Sequence, residues 1–193
     1  MHLSLCDFLS DIVQNGIEAG ASLVKVVIEQ SEQKIEFSIS DNGKGMSEEL
    51  RQRALDPFYS DGDKHANRKV GLGLPFLVQA TEAAEGTFSL ESKEGEGTQV
   101  KFGFNLNHID CPPVGDIALT ILSLLIYEGD YEAEVQRILH HTDGVEEYTV
   151  IRSQLEEILG DFTSGSNLYL LREYLRSQEA ALDDYKEGSE NPN

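Results

Sequence analysis

The sequence predicts an α+β protein: a two-layer α/β sandwich with helices on one face of a mostly antiparallel mixed sheet, followed by a small α+β C-terminal module. Three observations carry this. Apolar residues over 4–19 recur at helical spacing (Leu5, Phe8, Leu9, Ile12, Ile17). The next two segments alternate with period two, Val24, Val26, Ile28 and then Ile35, Phe37, Ile39. The order up to residue 106 is helix, two strands, helix, loop, helix, two strands, which gives a sheet whose apolar face needs a helical cover.

Element by element, Gly20 stops the first helix. Strands follow over 23–29 and 34–40, and Ser31 to Gln33 makes them a hairpin. Ser47 opens a short helix to about residue 55, with Glu48 and Glu49 at the positive end of its dipole. Residues 59–70 lack apolar periodicity and read as a loop. A helix over 74–84 has Pro75 in its first turn. Strands over 87–92 and 99–106 flank the turn 93–97. Asp110 to Val114 holds two adjacent prolines and marks a boundary. The division is therefore a first domain over 1–108, a linker over 109–115, a module over 116–182 and a polar, frayed tail from Asp183. Within the module, Asp116 caps a helix to Tyr127. Thr142 to Gly144 turns between strands over 133–141 and 145–150. Helices span 151–160 and 167–182, the second capped by Asn167 and carrying Leu168, Leu171 and Leu175 on its apolar face.

Composition narrows the function. The 193 residues suffice for a real core. The longest apolar run, 117–127, is interrupted by Thr120 and Ser123 and is too short for a membrane span. No basic leader precedes an apolar stretch, and Cys6 and Cys111 make no disulfide framework, so a soluble protein of the reducing cytoplasm is expected. The net charge of −20 argues against nucleic acid and anionic membranes. Solubility is its plain reading, and a basic protein partner the sharper one. Residues 1–108 carry 10 basic and 17 acidic side chains, residues 109–193 carry 5 and 18, so the acidity is concentrated in the second part.

Four motifs carry the chemistry. Asp11 and Asn15 are four apart and project from one helix face. A side-chain carbonyl suits Mg2+, and a carboxylate one turn away can polarise a water. Asp41-Asn-Gly43-Lys-Gly45-Met46 ends a strand, and its glycines let backbone approach a flat ligand. Asp56-Pro-Phe58-Tyr59 precedes a loop in which Lys64, His65, Arg68 and Lys69 crowd together, cations suited to phosphate. Gly71-Leu72-Gly73-Leu74 opens a helix, where backbone N–H groups favour phosphate. No G-K-[ST] follows, so it is not a Walker loop.

Together, in this order, the motifs resemble the ATP-binding domain of the GHKL superfamily, the Bergerat fold of histidine kinases, anti-sigma serine kinases, type II topoisomerases, ATP-driven chaperones and MutL proteins. The resemblance covers about residues 4–106. It implies that Asn15 binds Mg2+, that Asp11 stands where a glutamate base is usual, and that Asp41 contacts the adenine amino group beside Gly43, Gly45 and Met46. Phe58 matches the aromatic position before the lid; Lys64, Arg68, Lys69, Gly71, Leu72, Gly73 and Leu74 fall on the phosphate side. Residues 86–104, with Ser92 and Thr98, are similar to the end of a histidine-kinase catalytic domain, which adds Thr98 to the nucleotide set. Asn15 to Ser22 also looks like MutL.

The resemblance leaves three readings open: a protein kinase acting in trans on a separate phosphoacceptor or regulator, a MutL-type ATPase switch with ATP-driven dimerisation, and a module that senses ATP or ADP without chemistry. His2, His65, His108, His140 and His141 lie outside any H-[ED]-x-x-x-P phosphoacceptor pattern. His140-His141 is better read as an ordinary strand or turn position than as an acceptor or metal pair. The acidic C-terminal module is the candidate for docking or for forming a homodimer.

Overall fold

The computed structural model describes residues 4–56 and 73–188. The elements run α1 (Leu5–Glu18), β1 (Leu23–Gln30), β2 (Lys34–Asp41), α2 (Glu48–Ala54), α3 (Gly73–Ala83), β3 (Thr87–Lys93), β4 (Gly97–Asn105), α4 (Ile117–Leu125), β5 (Glu132–His141), β6 (Gly144–Ile151), α5 (Arg152–Leu159) and α6 (Gly165–Gly188). They form the α+β architecture expected. One six-stranded sheet has the order β3-β4-β2-β1-β5-β6, antiparallel throughout except for the parallel pair β1–β5.

Period-two alternation builds the core. Val24, Val26, Ile28, Ile35, Phe37, Ile39, Val100, Phe102, Phe104, Ala133 and Val135 are buried on the helix-covered face, while Lys25, Glu36 and Lys101 face solvent. Phe37 stacks on Phe102 with centroids 4.7 Å apart. From the other layer, α1 contributes Leu5, Phe8, Leu9, Ile12 and Val13. A capping box between Ser4 and Asp7 starts α1. Its end is a Schellman turn: Gly20 (φ +82°) donates to Ile17 O, and Ala21 N–H to Gly16 O. Ser47 and Asp116 cap α2 and α4 as their sequence positions suggest.

The C-terminal segment is α+β, as expected, yet it shares the sheet and core of the first 108 residues. β5 pairs with β1 along all eight β1 residues. α4 is buried on most sides (Ile117, Ala118, Ile121, Leu122, Leu124, Leu125) and packs between α1 and α6. The linker is structural: Pro113 O and Val114 O accept from Leu5 N–H and Cys6 N–H, orphan donors of the first turn of α1.

Two details of α6 correct the sequence reading. Asn167 is not its cap. The helix starts at Gly165, and Asn167 lies in its first turn, donating its side-chain amide to Asp161 O. Nor does the helix end at 182; it runs to Gly188, because residues 183–187 contain no breaker and include helix-forming Lys and Glu. Leu171 and Leu175 are fully buried and Leu168 partly so. Among the described residues no helix is long and apolar enough to cross a membrane, and no group of three His, Cys, Asp or Glu side chains could hold a metal ion.

Candidate functional site

The site forms where α1, the end of β2, the start of β4 and the start of α3 converge. Asp41 is the last residue of β2 and half-buried. Its Oδ1 accepts from Gly43 N–H at 2.8 Å, and Thr98 N–H is its second backbone donor. Burial nonetheless holds the carboxyl above its ordinary pKa, and the two backbone donors only offset part of that. Gly16 of α1 lies directly over it: a Cβ there would stand 3.1 Å from Asp41 Oδ2. An interior helical glycine costs about 1 kcal/mol relative to alanine, and here it lets the helix pass close to a carboxylate.

The loop after Asp41 is held from three sides. Asn42 Oδ1 accepts from Ser22 N–H and Leu23 N–H, both at 2.9 Å, tying the loop to the start of β1. Lys44 N–H reaches Ala19 O, and Gly95 N–H reaches Lys44 O. Gly45 (φ +62°) passes the β3–β4 turn so closely that a Cβ would fall 2.0 Å from Lys93 O. Gly97 (φ +105°) does the same against Asp41 O, also at 2.0 Å. At both positions only glycine fits. Met46, half-buried, donates its N–H to Ser92 Oγ at 2.9 Å.

The second half of the site is at α3. Gly73 begins that helix, and a Cβ there would stand 2.9 Å from Asp11 Oδ2. The shorter carboxylate thus still reaches the start of the Gly-Leu helix. Asp11 is half-buried and Asn15, one turn on, is exposed. Leu74 packs against the core and Pro75 is buried in the first turn. Gly16 lies five positions on from Asp11, about 7.5 Å along the axis, so α1 spans both halves. Tyr127, just past α4, has its hydroxyl pKa raised by burial and then by the charges of Glu18 and Asp11, so the C-terminal segment borders this face of α1.

Asp11, Gly73 and Leu74 therefore meet at one end, and Asp41, Gly43, Gly45, Met46 and Thr98 at the other. Phe58, Lys64, Arg68, Lys69, Gly71 and Leu72 lie outside the described residues. Sequence reasoning did not assign roles to Gly16, Asn42 or Ser92. A glycine inside an otherwise helical pattern could have flagged Gly16; Asn42 and Ser92 lie within segments the resemblance covers, but their partners come from strands and loops distant in sequence. His140, read as an ordinary strand position, sits in β5 with Nε2 2.6 Å from Glu29 Oε1.

Residues 2–108 match the family of histidine kinase-, DNA gyrase B- and HSP90-like ATPases, and the chain belongs to it. Among curated proteins it is similar to sporulation kinase C of Bacillus subtilis, 31% identical over 90 residues (46% of this chain, 20% of the relative). It is also similar to the sensor histidine kinase AruS of Pseudomonas aeruginosa, 27% identical over 148 residues (70% and 15%). The chain thus spans a fifth or less of these two relatives' length. Among solved structures, the N-terminal domain of a DNA repair protein superposes with a TM-score of 0.51 at 14% identity, covering 82% of this chain and 57% of that one. That likeness concerns the fold, and at this coverage it extends beyond residue 108.

Proposed function

We propose that this chain binds Mg-ATP between α1, the β2–α2 loop and the start of α3, and uses it in signalling as a protein kinase acting on a separate partner. The observation that carries this is the pairing of two sites by one helix: α1 sets Asp11 against Gly73 and Gly16 against Asp41. A half-buried carboxylate at one end suits the adenine amino group, and a glycine-rich helix start at the other suits phosphates.

Roles follow from the chemistry of each group. Asp41 accepts from the base, and the Gly43 and Thr98 N–H groups fix its orientation. Gly45 and Gly97 let the loop lie against the sheet, so that Met46 can form the floor of the pocket. Asn15 offers a hard oxygen donor on an accessible helix face, which fits Mg2+. Mg2+, when bound, would neutralise phosphate charge. Asp11 orients the attacking hydroxyl or water and accepts its proton. Phe58, Lys64, Arg68, Lys69, Gly71 and Leu72 are assigned to the lid and phosphate contacts on sequence alone. The histidine-kinase relatives support the kinase reading, and the acidic surface favours a basic partner.

The test is phosphate release and phosphotransfer measured on the same preparation. Transfer from γ-labelled ATP to a co-purifying protein, with little release by the chain alone, is expected. Rapid release without a partner would replace the kinase with an ATPase switch. Binding with neither would leave a nucleotide-sensing module.

A further inference from the structure

Ser92 lies in the segment that resembles a histidine-kinase catalytic domain but has no role assigned by it, and its hydroxyl makes three contacts at the edge of the base site. Asp41, Thr98 and Ser92 are register partners across three neighbouring strands, Asp41 with Thr98 in β2–β4 and Ser92 with Thr98 in β3–β4. Directly opposed residues on adjacent strands project from the same face, so the three side chains form one row. Ser92 Oγ accepts from Met46 N–H at 2.9 Å, donates to the Gly97 carbonyl at 3.0 Å, and lies 2.9 Å from Thr98 Oγ1.

A serine hydroxyl has one proton and two lone pairs. The proton goes to Gly97 O, which has none to give, and one lone pair takes Met46 N–H. The contact with Thr98 is then satisfied only if Thr98 donates. Its own proton is thereby spent on Ser92, and towards a ligand Thr98 Oγ1 can act only as an acceptor. Asp41 beside it is an acceptor as well.

We propose that Ser92 is a positioning residue for base specificity: by consuming the Thr98 hydroxyl proton it sets two acceptors side by side, favouring a 6-amino purine and rejecting a 6-oxo purine. This rests on the nucleotide site proposed above. A 6-amino group brings two N–H donors to that row. A 6-oxo purine can turn its N1–H to one of the two acceptors, but its 6-oxygen then meets a lone pair on the other, a mismatch the pocket cannot relieve without a donor.

The experiment is equilibrium binding of ATP and of inosine triphosphate, which has a 6-oxo group and N1–H where ATP has a 6-amino group and a bare N1, and lacks the 2-amino group of GTP. It uses the full chain, Ser92→Ala, Ser92→Thr and Thr98→Val, with thermal melts to confirm folding. In Ser92→Ala the Thr98 proton is free to turn to a 6-oxo oxygen, so the ATP preference should fall about fivefold to tenfold. Ser92→Thr, which keeps the hydroxyl, should retain the preference. Thr98→Val should weaken ATP without improving inosine triphosphate. Should Ser92→Ala not fold, Ser92→Cys carries the same test. Equal weakening of both nucleotides in Ser92→Ala, leaving their ratio unchanged, would overturn this inference and leave the ATP site standing. No nucleotide binding by the unmodified chain would overturn both.

Discussion

Replacing Gly16 with alanine separates stability from ligand binding. Gly16 is interior to a 14-residue helix, and alanine there gains about 1 kcal/mol in helix propensity. Its Cβ would stand 3.1 Å from Asp41 Cβ and Oδ2 and 3.2 Å from Cγ. Carbon contacts are normally about 3.5–4.0 Å, so one partner must give by a few tenths of an ångström. α1 is fixed by its capping box and by the linker carbonyls at Pro113 and Val114. Among the described residues, two N–H donors hold the Asp41 side chain, and it is the part that moves. Contact strain and propensity gain oppose each other, so the urea midpoint should correspond to within about 1 kcal/mol of the parent. Binding has no such offset. A hydrogen bond to a charged group is worth about 1.5–3 kcal/mol, so misaligning it should weaken ATP about tenfold or more. The assay is an ATP titration beside a urea melt. Parent-like affinity would refute the placement of the base against Asp41. A loss of affinity accompanied by several kcal/mol of stability would mean that α1 had moved instead.

Asp11→Asn should lower phosphate release or transfer about a hundredfold or more while ATP affinity stays within a few-fold, measured in parallel on one preparation. Gly97→Ala places a Cβ 2.0 Å from Asp41 O at φ +105°, and the urea midpoint should report a loss of about 3 kcal/mol or more. Because the Asp41 carboxyl is raised in the folded protein, its ionised form opposes folding above the folded pKa, and this penalty is relieved as pH falls through that pKa. Asp41→Asn should therefore melt at or above the parent temperature at pH 7–8, the difference shrinking into the ordinary carboxylate range; thermal melts against pH measure it. Removing residues 113–193 strips β1 of β5 and α1 of its linker carbonyls, and the remainder should lose cooperative urea unfolding although the motifs are all retained.

Local chemistry was legible in the sequence wherever it acts within a few residues. Ser47 and Asp116 were recognisable caps because a cap needs only its own helix. Alternation over Val24–Ile28 and Ile35–Ile39 identified strands and their buried face, since one register satisfies it. What the sequence could not supply was long-range pairing. Residues 132–141 alternate clearly, but nothing in them names β1 as their parallel neighbour, so a second module was the natural reading. Ser92 gains its three contacts only once β3 and β4 are in register and the Met46 loop has folded over them. Gly16 likewise takes its meaning from Asp41, 25 residues on. Asn167 misled because an asparagine near a helix start can bond away from the helix as readily as cap it, and here Asp161 O takes its amide.

The most direct test of the central claim is Mg-ATP binding to the full chain and to Asp41→Asn, with folding of both confirmed by thermal melts. Saturable binding by the parent is expected, and its loss in a variant that remains folded and is no less stable. Equal binding by a folded Asp41→Asn chain, or none by the parent, would contradict it.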